Sequence, residues 1–169
     1  KVVQGIWLDP ARRDLTGVVK SRTERIFDPE AYSPPLSFVV DLARTGMPMG
    51  VKLGPGMPHE AIARPEDIRS EANPHPRVTA QWVEHEGSLV ELVLWFNALA
   101  QEGVARTVTV LRQEATGLAE DGGLHIHKTT LSSPHPAEQV TPVDEKQTRL
   151  PSPGEYLYEP SGAVVRAHL

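Results

Sequence analysis

The residues of this chain best suited to chemistry are His125 and His127, separated only by Ile126. Side chains two apart on a strand project from one face, so an extended run here would present two imidazoles together. That is one way a β-scaffold offers ligands to a metal ion, with His135 as the expected third and His85 or Glu138 as alternatives. A metal site needs three or four ligands and groups that orient them, so the pair alone is a weak signal. The competing reading is the polar, solvent-facing side of an amphipathic strand, with Lys128 and Thr130 flanking and Ile126 turned to the core.

Other candidate motifs lack a necessary part. A cupin-type barrel sets His-x-His ahead of a Glu four or five residues on, where this chain has Leu131 and Ser132. His127-Lys128-Thr129 has the form of one phosphoesterase His-x-Thr element, but no second His-x-Ser/Thr occurs. Gly54-Pro55-Gly56 sits where a phosphate loop could lie, yet Pro55 and Pro58 remove backbone donors that phosphate would need, so a turn is expected. His59-Glu60 and Glu84-His85-Glu86 are candidate acid/base groups. On a strand Glu84 and Glu86 would share one side and His85 the other, and solvated charges at a hairpin end are the simpler expectation. No Gly-x-Ser-x-Gly elbow supports a hydrolase nucleophile. Arg12, Arg13, Lys20, Arg22 and Arg25 form a modest basic cluster diluted by Asp9, Asp14 and Glu24. Trp7, Trp82 and Trp95 lie within apolar runs and are expected in the core.

The elements that must position these residues are short, because Pro and Gly punctuate the chain. Strands are expected over Val2 to Leu8, Leu15 to Phe27, Leu36 to Leu42, Met47 to Leu53, Val78 to His85, Val104 to Arg112 and Leu124 to Leu131. Arg64 to Ala72 reads as a short helix, with Pro65 in its first turn and Glu66 and Asp67 near its positive end. Ser88 to Glu102 reads two ways. As a helix it has Ser88 and Glu91 as a capping box and Gly103 as its stop; as a strand it pairs back on Val78 to His85 through a Glu86-Gly87 turn. The Val/Leu/Trp/Phe density favours the strand. A last hairpin is expected from Glu155 to Tyr158 and Ala163 to Ala167 across Glu159 to Gly162. Residues 132–154 are Pro-rich and read as an irregular segment within one domain spanning residues 1–169.

The fold class that follows is mainly β: an antiparallel sandwich or barrel with one or two short helices. A helix at residues 88–102 would shift it to α+β. From Leu89 to Ser133 the order of apolar strand, polar loop, Val-x-Val strand and Gly-rich loop resembles immunoglobulin- and transthyretin-like sandwiches. That resemblance covers about a quarter of the chain and implies a fold, not a function.

Composition narrows the function. The 169 residues carry 17 Lys+Arg, 22 Asp+Glu, 7 His and no Cys, for a formal charge of −5. A net negative chain is a poor dedicated nucleic-acid binder. Without Cys there are no disulfides, thiolate metal sites or Cys nucleophiles, though this fixes no compartment. No apolar run reaches the length of a membrane span, and no leader is visible. The expected role is a non-catalytic β-domain for protein–protein interaction or assembly, with a protein partner or a second copy. The alternatives are a small metal-dependent or acid/base enzyme using His125 and His127, and a small-molecule carrier with an apolar barrel interior.

Overall fold

Glu86 and Gly87 decide the centre of the molecule. Both adopt positive φ, 49° and 76°, the conformation of a two-residue hairpin turn whose twist matches that of its flanking strands. They join β3 (Val78–His85) to β4 (Ser88–Phe96) in antiparallel register, with a bulge between Val83 and Glu84. Ser88 therefore pairs with His85 as a strand residue and caps no helix. In a computed structural model, residues 4–11, 28–115, 124–136, 152–156 and 158–169 are described. Leu15 to Phe27 and most of the Pro-rich segment 132–154 lie outside them.

The chain is mainly β. Around the hairpin assemble β1 (Ile6–Leu8), β2 (Met49–Leu53), β5 (Arg106–Ala115) and β6 (Leu124–Ser133), in the order β1-β2-β4-β3-β5-β6. The sheet is single, mixed and not closed into a barrel. β1 runs parallel to β2 and β3 parallel to β5, while the other neighbours are antiparallel. Among the described residues the sheet encloses no barrel interior.

One face of the sheet is the core. Directly paired residues share a face, so Met49, Val51 and Leu53 line up with Phe96, Leu94 and Leu92, and these with Val78, Ala80 and Trp82. Val108 continues the row from β5. All are buried. Two helices bury their apolar residues among them: α1 (Leu36–Ala43) through Leu36, Val39 and Ala43, and α2 (Gly162–Ala167) through Ala163 and Ala167.

Both helices correct expectations of strands. In Leu36 to Leu42 the buried positions fall at helical spacing while Phe38 and Asp41 face out, and Asp41 pairs with Arg44 one turn on. A short run of apolar residues broken only by Ser37 and Asp41 does not separate helix from strand by itself. At the C-terminal end Ser161 accepts a hydrogen bond from the Val164 N–H as an N-cap, so Gly162 opens a helix instead of closing a turn. The expected helix at Arg64 to Ala72 shrinks to a 3-10 turn, Pro65–Ile68.

Two asparagines tie α1 to the end of the sheet. Asn97, at φ 57°, donates to the carbonyls of Ala43 and Met47, each at 2.9 Å. Asn73 donates to the Asn97 side-chain oxygen at 2.8 Å. The carbonyl of Ala43, at the C-terminus of α1, accepts from the Gly46 N–H at 3.1 Å, and both asparagines add donors to it.

Candidate functional site

β6, and the part of β5 beyond Leu111, are left uncovered by the rest of the sheet, whereas Arg106 to Thr109 are buried. Alternating Val and Thr in β5 pair with β6 over ten positions, from Arg106 opposite Ser133 to Ala115 opposite Leu124. β3 follows β5 only as far as Leu111, whose carbonyl accepts from the Glu86 N–H at 3.0 Å. Beyond it, residues 112–115 and 124–127 continue as two strands alone. Glu86 supports the departure point, since its carboxylate accepts from the Gln113 N–H.

β6 is the edge of the sheet. Every residue from Ile126 to Ser132 is exposed. Leu131 pairs with Val108 and so lies on the core side, yet it is 47% exposed. Ile126, of opposite parity, lies on the other side and is 60% exposed. Hence both faces of β6 carry an uncovered apolar side chain. Among the described residues no strand pairs on its outer side, so its outward N–H and C=O groups have no sheet partner. The segment 124–136 holds Lys128 and three histidines and no Asp or Glu, on a chain whose net charge is −5.

The structure places the expected metal ligands as follows. His127 stands opposite Arg112 and is exposed. His125 stands opposite Glu114 in the backbone register, and its side chain lies outside the described residues. His135 follows the end of β6, where its carbonyl accepts from Arg106 Nε at 2.7 Å. Six residues of extended strand separate His127 from Ser133, roughly 20 Å at 3.3 Å per residue, so His127 and His135 do not meet within one chain. His85 pairs with Leu111 on the far side of β5, and Glu138 is outside the described residues. Among the described residues no three His, Asp or Glu side chains converge.

Two further expectations change. Glu84 is not a solvated hairpin charge. It is 1% exposed, accepts from the Ala163 N–H at 3.1 Å, and lies 3.6 Å from Arg112 Nη2. The bulge beside it and the arrival of α2, both invisible in the local pattern, bury it. Of the three tryptophans only Trp82 is core. Trp7 is 54% exposed, and its ring lies 5.7 Å from that of Trp95 on the sheet's other face. Gly50, paired with both, leaves room for them, because a Cβ there would come within 2.7 Å of Trp7 and 2.8 Å of Trp95. Trp95 Nε1 then donates to Gln81, and Gln81 donates to Thr109, at 2.8 and 2.9 Å.

No known family, curated protein or solved structure matches the chain. The function must therefore come from the geometry of the molecule. No helix among the described residues is long and apolar enough to cross a membrane.

Proposed function

We propose that this chain is a non-catalytic assembly domain whose β6 edge accepts a further strand from a partner protein. The observation that carries the reading is the exposure of β6 on both faces over residues 126–132, at an edge with no outer neighbour among the described residues. Natural sheets blunt long edges, and an extended partner segment satisfies the backbone groups of one left open. A two-stranded ribbon is also marginal on its own in water, so the portion beyond Leu111 gains most from a third strand.

The chemistry of the partner follows from the charge of the segment. With Lys128 and three histidines and no carboxylate, it favours an acidic strand with apolar residues at alternate positions. A second copy of β6 would bring two Lys128 side chains to one ribbon with no carboxylate to offset them, which is unfavourable for strands placed side by side.

The test uses two synthetic ten-residue peptides, one alternating Glu and Val and the other Lys and Val. The Glu peptide is expected to bind the intact chain at least about tenfold more tightly than the Lys peptide, with affinity falling as salt rises. K128E should narrow or reverse the preference. Equal binding of both peptides, or none, contradicts the proposal. So does a stable dimer in sedimentation equilibrium that K128E leaves intact, which would assign the edge to a second copy.

A further inference from the structure

A second feature, on the core side and away from the outer edge of β6, is a small cavity between the 3-10 turn His59–Ala61 and strands β3 and β5. Its volume is about 50 Å³. One water requires roughly 10–15 Å³ of such space, so the cavity holds a few non-hydrogen atoms and no drug-sized ligand. Most of the wall is apolar, including Ile62, Val78 and Ala105. The polar exceptions are His59, Trp82, Arg64 and Arg106, and no Asp or Glu lines it.

Two of those groups have buried polar atoms without partners: His59 Nδ1 and Trp82 Nε1. Trp82 is fully buried, and its ring centroid lies 5.4 Å from that of His59. Leaving such groups unpaired in the interior costs stability, so the pair calls for an occupant. Their chemistry specifies one. Trp82 Nε1–H can only donate. His59 Nε2 lies 2.8 Å from the Arg166 carbonyl, which only accepts, so Nε2 carries the proton and Nδ1 is an acceptor while the ring is neutral. An occupant must therefore offer an acceptor to Trp82 and a donor to His59.

The surroundings choose the sign of charge. Arg106 is buried, and its guanidinium donates only to neutral oxygens: the carbonyls of His135, Ala167 and His168 and the hydroxyl of Ser133. Among the described residues no carboxylate pairs with it. Arg64 lies 3.8 Å from Glu66, so it is the buried charge of Arg106 that favours an anion in the cavity.

We propose that this cavity binds a small carboxylate of two to four carbons together with one proton. One carboxyl oxygen accepts from Trp82 Nε1–H, the proton lies between the other oxygen and His59 Nδ1, and the alkyl end meets the apolar wall. The other groups facing His59 are His168, whose ring lies 4.1 Å away, Arg166 and Arg106. Burial of the ring first, and then the electrostatic effect of these neighbours, lower the His59 pKa from its usual value, against a rise from the backbone hydrogen bond to Arg166. The carboxylate's charge then favours the added proton.

The test is a titration of the intact protein with propionate and with propionamide near pH 6, read at the three indole N–H resonances. Propionate is expected to shift the Trp82 resonance saturably while Trp7 and Trp95 serve as internal references. Propionamide should bind about tenfold more weakly or worse. Calorimetry in two buffers of different ionisation enthalpy should show uptake of about one proton per propionate bound. Trp82→Phe, which keeps most of the ring and removes the donor, should weaken propionate by about tenfold. An unmoved Trp82 resonance assigns the cavity to water and overturns the proposal. Propionamide binding as tightly as propionate, or binding without proton uptake, overturns the carboxylate assignment. None of these outcomes bears on the β6 edge, which the peptide titration tests separately.

Discussion

Asn97 joins the end of the sheet to α1. Its left-handed backbone ends β4, and its amide bonds the last turn of α1 and the chain entering β2. Ala at this position leaves the Met47 carbonyl without its side-chain donor, removes one of several donors to the Ala43 carbonyl, takes away an acceptor of the Asn73 amide, and places a residue without a local hydrogen bond at positive φ. N97A is expected to cost about 3 kcal/mol in chemical denaturation. A loss below about 1 kcal/mol would mean that water replaces the amide. His59 supplies a pH dependence of definite sign. Burial first, and then the electrostatic effect of His168, Arg166 and Arg106, lower its folded pKa below the ordinary 6.5, against a rise from its backbone hydrogen bond. The unfolded chain therefore binds a proton at His59 before the folded chain does. Its contribution is a stability that is complete above the unfolded value and declines as pH falls through it. The H59Q variant should show a shallower loss of stability between about pH 7 and 5 than the parent, and an identical slope would contradict this account.

At the scale of elements, what was legible depended on whether the deciding residue was local. The β3–β4 hairpin could be read because Glu86-Gly87 carries its own turn chemistry. β5 and β6 could be read from their alternation, although both extend past the expected ends. Leu36 to Leu42 fits a strand as readily as the observed helix, because five apolar residues among seven satisfy either period and only the packing partner decides. α2 was misread because the Ser161 cap competes with a turn signal over the same residues. His127 lies in a strand and is exposed, but the register reverses the expected faces: His127 shares the side of Leu131, Ile126 lies on the other, and His127 stands opposite Arg112 and far from His135. The cavity left no trace in the sequence: His59, Trp82 and Arg106 are brought together by three separate elements. β1 offers a test of packing at this scale. Its three residues are held to β2 partly by Trp7 lying over Gly50 against Trp95. G50A should displace Trp7, red-shift tryptophan emission and cost about 1–3 kcal/mol, the usual range for inserted methylenes. Unchanged emission would show that the ring pair accommodates a Cβ by other means.

For the molecule as a whole, the sheet is asymmetric. β2, β4 and β3 are buried at its centre under α1 and α2, whereas β6 stands exposed on both faces at one edge. Local opening follows burial, so amides of β3 and β4 should exchange near the global unfolding limit, and those of residues 124–133 much faster. The proposed role makes that edge the place where a partner strand adds. Hydrogen exchange of the β6 amides, with and without the alternating Glu-Val peptide at saturation, tests this most directly. The account predicts slowing of at least about tenfold along residues 126–132, with the β3 and β4 amides little changed. Unaltered exchange along β6 in the presence of bound peptide would contradict it.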